Sequence, residues 1–264
     1  MKIAILGTGK MGSAIALGLL KNDPGAVRDL TVTNTTGTLP RELADSGIRC
    51  SNDNALAVSD KDLIIAAVLP QKLREVLRSI AGHVRKNACL VSIAPGHTLK
   101  ALKEMTDGHM QVVRAMPNTP SLTGDGMIAV CTGPDTDKSA LDAALFVLGT
   151  LGRTEVVEES QLNAVIAVSG SAPAYVYVFM DALMDAGVLG GLHRDQAMRM
   201  SAQMLYGAAQ LMLKTGRTPA DLKDMVCSPG GTTIEAVAAL EKNGFRSAVI
   251  EAARAAMDKA SRMG

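Results

Sequence analysis

The chain has 264 residues, of which 47% are hydrophobic and 20% are charged, and its formal net charge is +1 at pH 7. These values are ordinary for a folded protein of one or two domains, and they exclude disordered and collagen-like chains. The balanced charge gives no basic surface for nucleic acid or an anionic membrane, and only three tyrosines and three phenylalanines, without tryptophan, could stack on bases. We therefore expect a small-molecule ligand, with no nucleic-acid partner and no membrane partner.

The first 157 residues alternate short β-branched runs with helical patterns, which is typical of βαβ units. This alternation predicts an α/β domain at residues 1–157, built on a doubly wound, mostly parallel sheet. The predicted strands are residues 2–7, 30–34, 62–69, 89–94, 111–116, 127–132 and 154–157. The predicted helices between them are residues 10–21, 39–46, 71–85, 98–107 and 137–150.

A glycine-rich turn, Gly7-x-Gly9-x-x-Gly12, joins the first predicted strand to the first predicted helix. In such a turn the first glycine permits the tight bend, the second lets a pyrophosphate approach the backbone, and the third lets the helix lie close to the strand. The N–H groups at the start of the helix then hold the phosphates. We predict Rossmann-type dinucleotide binding here, with a merely structural turn as the alternative. The predicted binding residues are Gly7, Thr8, Gly9, Lys10, Met11 and Gly12.

The end of the second predicted strand bears on the choice of cofactor. An acidic residue there binds the ribose 2′-hydroxyl of NAD and would repel a 2′-phosphate, but this sequence has Asn34 followed by Thr35. An amide with hydroxyl neighbours can accept a phosphate, and Lys10 or Arg41 could supply positive charge, although Arg41 taken singly is more simply a solvated helix residue. The sequence favours NADP over NAD and leaves both open.

Three further loops follow predicted strands, and each contains proline or glycine, which fixes the backbone where a ligand of an open α/β sheet binds. Asn118 lies between two prolines and could bind a carboxamide or the substrate, with a plain turn as an almost equal alternative. No Ser-His-Asp or Cys-His grouping occurs in the sequence, which favours hydride transfer with the cofactor doing the chemistry. The predicted cofactor-lining residues of these loops are Ala67, Val68, Leu69 and Pro70, then Ala94, Pro95 and Gly96, and finally Asn118.

The cysteines are dispersed along the chain. They form no Cys-x-x-Cys pair, and the four histidines do not cluster with them. This spacing argues against a zinc site and against a disulfide scaffold, so we expect no metal and a cytoplasmic location. The four cysteines are Cys50, Cys89, Cys131 and Cys227.

Strand patterns stop after residue 157, and residues 158–264 are predicted to form an all-helical domain that begins directly with a helix. The predicted helices are residues 160–189, 193–215, 218–226 and 231–262. Residues 160–180 carry no charge, but polar residues interrupt them, which predicts a buried helix with a break and not a membrane span. Because an alanine-rich helical domain buries little surface per residue, we expect it to associate with a second copy of itself.

Two segments of this helical half have more than a structural interpretation. The first, residues 169–175, is a polar break within an apolar helix. The second, Cys227-Ser-Pro-Gly-Gly-Thr-Thr233, is a glycine-rich turn that opens a helix and offers N–H groups and hydroxyls to a carboxylate. Helix capping alone is an equally good explanation of the second segment.

These motifs together resemble the pyrroline-5-carboxylate reductase family over essentially the whole chain. The most specific part is residues 219–241, which contain Ser228-Pro-Gly-Gly-Thr-Thr233. The supporting motifs are Gly7-x-Gly9-x-Met11, Ala67-Val-x-Pro70-Gln71, Met116-Pro-Asn-Thr-Pro120, Ser169-Gly-Ser-x-Pro-Ala-Tyr175 and Gly244-Phe-Arg-Ser247. The sequence departs from residues usual in the family at Leu69, Pro95, Ala172 and Met225.

The resemblance implies hydride transfer from NAD(P)H to the C=N bond of 1-pyrroline-5-carboxylate, which gives L-proline in the last step of its biosynthesis. It implies that Thr233 is catalytic, with its hydroxyl on the ring nitrogen, that Glu159 neighbours the substrate, and that Asn54 contacts the adenosine ribose. It further implies an intertwined homodimer that can assemble to a higher oligomer such as a decamer, with each active site between the dinucleotide domain of one chain and helices of its partner. The substrate-binding residues implied are Glu159, Ser228, Gly230, Gly231, Thr232 and Thr233.

Three other functions fit parts of the sequence. A β-hydroxyacid dehydrogenase has a similar glycine-rich start and helical second domain, but it needs a catalytic lysine on the interdomain helix, and no lysine occurs between Lys138 and Lys214. A general imine reductase is the closer alternative, although the turn at residues 228–233 would be unexpected in it. A non-catalytic NADP-binding sensor would not need the Thr233 hydroxyl.

Overall fold

The computed structural model describes residues 1–22 and 29–262. The chain forms two compact units: the described residues of 1–170 and 257–264 make up the first, and residues 171–256 the second. The domain boundary predicted after residue 157 stays a prediction. Residues 23–28 and 263–264 of the predicted domains lie outside the described residues.

The first unit contains an eight-stranded sheet in its described part. Its strands are β1 (Lys2–Leu6), β2 (Asp29–Thr33), β3 (Arg49–Ser51), β4 (Leu63–Ala66), β5 (Cys89–Ser92), β6 (Gln111–Met116), β7 (Gly126–Thr132) and β8 (Gly152–Val156). The order is β3-β2-β1-β4-β5-β6-β7-β8, and neighbouring strands are parallel except for the antiparallel pair β6 and β7. The predicted doubly wound, mostly parallel sheet is confirmed, and its order reverses between β1 and β4, where such folds bind ligands.

Helices cover both faces of this sheet. The helices of the first unit are α1 (Lys10–Asn22), α2 (Asn54–Val58), α3 (Pro70–Ile80), α4 (Leu99–Met105), α5 (Lys138–Gly149) and α6 (Leu162–Val165), followed by a π-helical turn (Ile166–Gly170). Side chains of α1 and α5 pack on one face, where Ile3 and Ile5 of β1 point, and those of α3 and α4 pack on the other, where Ala4 and Leu6 point. Because successive strand residues face opposite layers, strands buried on both sides read as continuous apolar runs in the sequence.

Two local predictions differ from the structure, and two of its elements were not predicted. Residues 39–46 form only a short 3₁₀ turn (Arg41–Leu43) and not a helix, and the strand β3 and the helix α2 were not predicted. The predicted helix at 231–262 is two helices, α10 (Thr232–Lys242) and α11 (Phe245–Ser261). Gly244 lies between them with φ +73°, a left-handed conformation that a helix cannot continue through and that glycine adopts without strain.

The second unit is helical throughout its regular structure. Besides α10 and most of α11 it contains α7 (Ala172–Leu189), α8 (Arg194–Thr215) and α9 (Pro219–Val226). Gly187 of α7 lies against Ala197 of α8, and the rings of Phe179 and Phe245 are 5.8 Å apart between centroids. Only Ala197 and Ser201 of its residues are buried in the single chain. The apolar side chains of this unit are therefore more exposed than those of a helical domain with a buried core of its own.

One helical stretch of the described residues, Glu159–Leu189, is apolar and long enough to cross a membrane. This is weak evidence, because helices that pack inside soluble proteins share these properties. The predicted burial of this stretch is wrong for the single chain, since no residue of α7 is buried and only 11% of the apolar window is buried. The polar break predicted at residues 169–175 corresponds to the π-helical turn Ile166–Gly170 and the bend at Ser171.

Candidate dinucleotide and substrate sites

A cavity of about 690 Å³ opens at the carboxyl ends of β1, β2, β4 and β5. Its position is the one that open α/β sheets use for ligands, beside the point where the strand order reverses. The predicted residues that line it are Gly7, Thr8, Gly9, Lys10, Met11, Asn34, Thr35, Asn54, Ala67, Val68, Leu69, Pro70, Ala94 and Pro95. Residues that line it but were not predicted are Thr33, Asn52, Lys72, Glu75, Val76 and Ile93.

The glycine-rich turn between β1 and α1 forms the floor of the cavity. Gly7 has φ +102°, and a Cβ atom there would lie 2.7 Å from the carbonyl oxygen of Ala67. A Cβ atom on Gly12 would lie 2.0 Å from the carbonyl oxygen of Gly7, whereas a Cβ atom on Gly9 would meet no heavy atom within 4 Å. Gly9 thus leaves open space at the start of α1, where unpaired N–H groups can hold phosphates. The turn fits a pyrophosphate.

Asn34 organises the loop after β2. Its Oδ1 accepts hydrogen bonds from the N–H groups of Thr36 and Gly37 at 3.1 and 2.7 Å, and its Nδ2 donates to Thr8 Oγ1 at 2.9 Å and to the Thr38 carbonyl at 2.7 Å. The side chain therefore ties this loop to the glycine-rich turn. The Thr36 hydroxyl is also used internally, since it donates to Asn34 Oδ1 at 3.0 Å and lies 2.8 Å from Thr38 Oγ1. The side-chain hydroxyl that this loop offers a ligand is therefore that of Thr35, which lines the cavity.

Asn54 is the first residue of α2 and faces the cavity next to Thr33. Its Oδ1 accepts a hydrogen bond of 2.6 Å from the Thr33 hydroxyl, which fixes the orientation of the amide. The N-cap of α2 is Asp53, whose carboxylate accepts from the Leu56 N–H at 3.0 Å. The Asn54 amide is thus held at the cavity wall by the strand β2 and the start of α2 together.

The loop after β4 carries an apolar wall into α3. Leu69, at the N-cap of this helix, lines the cavity and is 71% exposed. One turn further along α3, Lys72 Nζ lies 3.0 Å from Glu75 Oε2 at the cavity rim. Sequence reasoning missed these two residues because charged residues on an exposed helix face have no pattern of their own; their place in the first turns after a strand end was the available signal.

The loop after β5 forms the opposite wall, with Ile93, Ala94 and Pro95 lining the cavity. His97 ties this loop to the start of α3, since its Nε2 lies 3.2 Å from the Pro70 carbonyl oxygen. The two walls are therefore connected to each other at one point.

Three predicted cofactor residues do not line the cavity. Gly12 lies behind the turn, in contact with the backbone of Gly7, and Gly96 lies just beyond Pro95. Asn118 is buried, at 9% exposure, and its amide is bonded to the protein itself: Oδ1 accepts from the Met127 N–H at 3.0 Å, and Nδ2 donates to the Ser169 carbonyl at 3.2 Å. This geometry matches the alternative of a structural loop residue.

The predicted substrate turn lies in the second unit, between α9 and α10. The Gly231 N–H donates to the Ser228 carbonyl at 3.0 Å, and a Cβ atom on Gly231 would lie 2.3 Å from Ser228 Oγ. Gly231 is the N-cap of α10, and no side chain caps this helix. The capping interpretation of the turn therefore lacks its hydrogen bond, and the first N–H groups of α10 are available to an anion.

Glu159 lies in the first unit, in the turn before α6. Its Oε1 accepts from the Leu99 N–H at 2.7 Å and from Arg114 Nη1 at 2.9 Å. Glu159 is not among the residues that line the cavity.

Two of the cysteines, Cys89 and Cys131, are buried thiols. Burial raises the pKa of Cys89 to about 12 and the pKa of Cys131 to about 11, so both thiols are protonated at neutral pH. All four cysteines are free. The described residues include no group of three or more histidine, cysteine or acidic side chains able to hold a metal ion.

Comparison with known proteins gives full-length matches. The family model for pyrroline-5-carboxylate reductase dimerisation matches residues 159–263, and the model for NADP oxidoreductase, coenzyme F420-dependent, matches residues 2–96. A pyrroline-5-carboxylate reductase of Escherichia coli strain K12 is 40% identical over 263 residues, covering 99% of this chain and 98% of the relative.

Two solved structures are similar over the same extent. A pyrroline-5-carboxylate reductase from Coxiella burnetii has a TM-score of 0.93 at 29% identity, and one from Plasmodium falciparum with NADP bound has a TM-score of 0.86 at 29% identity. In both cases the match covers 100% of this chain and 98% of the other.

Proposed function

The chain belongs to the pyrroline-5-carboxylate reductase family, and from this premise we propose that its first unit binds NADPH and that residues 228–233 bind the carboxylate of 1-pyrroline-5-carboxylate. It is an oxidoreductase of proline biosynthesis, which reduces the C=N bond of this substrate to give L-proline. The observation that carries the function is 40% identity over 99% of the chain to a named reductase.

The cofactor supplies the hydride of the reaction, and the substrate is the imine that accepts it. When bound, a reduced nicotinamide supplies a hydride to the C=N carbon, and the ring nitrogen ends with a proton in the amino acid product. A protonated imine is already electrophilic, so the protein's task is orientation more than strong acid catalysis.

The glycine-rich turn and the start of α1 hold the pyrophosphate through backbone N–H groups. Asn34 shapes the loop that receives the adenosine ribose, and the absence of a carboxylate at this position supports NADP over NAD. Thr35 supplies a hydroxyl to a 2′-phosphate, and Lys10 supplies positive charge at the cavity rim. The F420-dependent NADP oxidoreductase match to residues 2–96 is consistent with this choice.

The turn before α10 serves the substrate. Its first N–H groups and the helix dipole bind the carboxylate, while Ser228, Gly230, Gly231 and Thr232 shape the turn. Thr233 places its hydroxyl on the ring nitrogen, where it accepts a hydrogen bond from the protonated imine and can donate one to the product amine.

The helical unit associates with a second copy of the chain. The dimerisation match over residues 159–263 supports self-association, and so do exposed apolar side chains such as Val178, at 73%, and Leu189, at 91%. We propose a homodimer as the smallest active form, capable of further assembly to a decamer. The four free cysteines suit a cytoplasmic enzyme.

The test of this function compares two imines and two cofactors with purified protein. Oxidation of NADPH is followed by absorbance with 1-pyrroline-5-carboxylate and with 1-pyrroline, which lacks the carboxylate, and each run is repeated with NADH. We expect proline as product, a strong preference for the carboxylated imine and faster turnover with NADPH. Equal turnover of both imines would remove the carboxylate role of the turn and favour a general imine reductase.

The hydroxyl role is tested by Thr233→Ala, with Thr233→Ser as the matched control that keeps the hydroxyl. Turnover should fall about a hundredfold or more in the alanine variant and largely return in the serine variant, with NADPH binding unchanged in both. Full turnover in Thr233→Ala would refute the assignment.

A further inference from the structure

The carboxylate of Glu159 connects three elements of the first unit. Oε1 accepts the N–H of Leu99, the first residue of α4, and the guanidinium of Arg114 on β6. The side chains of Arg114 and Glu159 are 11% and 32% exposed, so this ion pair is largely shielded from water. Charge-assisted hydrogen bonds in such surroundings are stronger and more directional than those on the surface.

Arg114 gives this connection a rigid anchor. It lies in the middle of the sheet, on a strand that pairs with β5 on one side and with β7 on the other. Its partner on β5 is Ser92, which is the last residue of that strand before the cavity loop. Glu159 is therefore fixed to the same strand neighbourhood from which the loop after β5 departs.

The start of α4 depends on Glu159 for one of its N–H groups. α4 has seven residues, too few to be stable through its own hydrogen bonds. Its first turn has two outside partners: the Thr98 hydroxyl, which accepts from the Ala101 N–H at 3.1 Å, and the Glu159 carboxylate. Three residues separate Pro95 on the cavity wall from Leu99, so a shift at the helix start reaches that wall over a short length of chain.

We propose that Glu159 is a positioning residue for the cofactor site, which holds the loop after β5 in place through the Leu99 N–H. The inference rests on the proposed binding of NADPH in this cavity. It differs from the substrate contact that the family resemblance implies for Glu159, because the oxygen that the structure orients is directed to the protein's own backbone and to Arg114.

The geometry assigns the effect to one half of the cofactor. In this fold the adenosine ribose lies at the end of β2, beside Asn34, and β5 lies on the other side of β1 and β4. Loosening the loop after β5 should therefore weaken contacts with the nicotinamide half and leave the adenosine half unaffected.

The experiment measures binding with Glu159→Gln, which keeps the size of the side chain but removes its charge. Dissociation constants are determined by calorimetry for NADPH and for adenosine 2′,5′-bisphosphate, which carries only the adenosine half. We expect the NADPH affinity to fall about five- to tenfold while the affinity for the bisphosphate stays unchanged. Glu158→Gln is the matched control, because Glu158 is the exposed neighbour that caps the same turn, and it should alter neither affinity.

A second variant of Glu159 and a double-mutant cycle with Arg114 keep the test valid if Glu159→Gln does not fold. Glu159→Asp keeps the charge on a shorter side chain, and it should weaken NADPH binding in the same selective way if Glu159→Gln does not fold. Combining Glu159→Gln with Arg114→Met should cost no more NADPH affinity than the worse single change, because both act through one connection.

Three results would overturn the proposal. Equal losses of affinity for NADPH and the bisphosphate would indicate general damage to the unit, and unchanged NADPH affinity with a raised KM for the imine would indicate a direct substrate contact. Unchanged NADPH affinity with unchanged KM would leave Glu159 without a role at either site. Failure of the wild-type protein to bind either nucleotide would instead refute the proposed function, and is separately visible.

Discussion

The substitution Asn34→Asp tests whether the loop after β2 receives a 2′-phosphate. Aspartate keeps the acceptor oxygen for the Thr36 and Gly37 N–H groups, at 3.1 and 2.7 Å in the wild type. In the wild type, Nδ2 of Asn34 donates to the Thr38 carbonyl at 2.7 Å. Aspartate replaces this donor by an oxygen that faces the same carbonyl. The change therefore has a local structural part and a charge part.

The two parts differ in how they depend on the cofactor. Loss of the bond to Thr38, with two oxygens left facing each other, should cost about 1–3 kcal/mol of loop stability, and it affects NADPH and NADH alike. Repulsion between unit charges roughly 6 Å apart, at effective dielectric constants of about 20 to 60, adds about 1–3 kcal/mol for NADPH alone. This second part corresponds to about a five- to hundredfold change in the ratio of the two affinities.

The assay is a titration of nicotinamide fluorescence with each reduced cofactor, at one ionic strength. Asn243→Asp is the matched control, because it introduces the same charge at an amide that also donates to a backbone carbonyl, Ala239 at 2.8 Å, but lies in the helical unit. The control should leave both affinities unchanged. A fall in both affinities by the same factor in Asn34→Asp would refute the placement of a 2′-phosphate at this loop.

Three further predictions concern stability and reactivity. Gly12→Ala should lower the free energy of unfolding in urea by about 1–3 kcal/mol or more, since its Cβ would lie 2.0 Å from a backbone oxygen, whereas Gly9→Ala should leave unfolding nearly unchanged and lose NADPH binding. The Lys61 ammonium, 2.8 Å from Asp29 Oδ1, keeps the pKa of Asp29 below its ordinary value. The stability from this pair is therefore present above about pH 4 and is lost as pH falls through the lowered pKa. Lys61→Met should remove that part of the acid dependence and destabilise the protein by about 2–3 kcal/mol at neutral pH, measured by thermal unfolding against pH. Cys89, 3% exposed and with its pKa raised to about 12, should resist iodoacetamide at pH 8 until the protein is denatured, as mass spectrometry would show; rapid labelling of the native protein would contradict its burial.

The sequence predicted the sheet well because its strands are buried on both faces. Continuous apolar runs such as β4 and β5 have one interpretation once glycine-rich turns and helices alternate with them. The short strand β3 escaped because its three residues have no apolar pattern and pair only with β2 at the sheet edge. The break at Gly244 escaped because a single glycine in an alanine-rich helix is compatible with a continuous helix until its φ is known.

The cavity was predictable where backbone shape decides the chemistry, as in the turn at Gly7 and the loop at Ala67. Side chains that act through the protein were harder to assign. Asn118 and Glu159 are polar residues next to strand or helix ends, the usual place of ligand contacts, yet their hydrogen bonds go to Met127, Ser169, Leu99 and Arg114. Spacing in a sequence does not report whether a polar group already has an internal partner.

The glycine-rich turn also separates two kinds of selection on neighbouring positions. A larger residue at Gly12 destabilises the fold itself, because its Cβ would lie 2.0 Å from the Gly7 carbonyl oxygen, so selection for stability keeps this glycine whether or not a cofactor binds. A Cβ atom on Gly9 would meet no heavy atom of the protein within 4 Å, so only a bound dinucleotide keeps this residue small. A descendant that had lost its cofactor would therefore diverge first at Gly9, and a larger residue there, beside an intact Gly12, would mark a reductase that has become a scaffold.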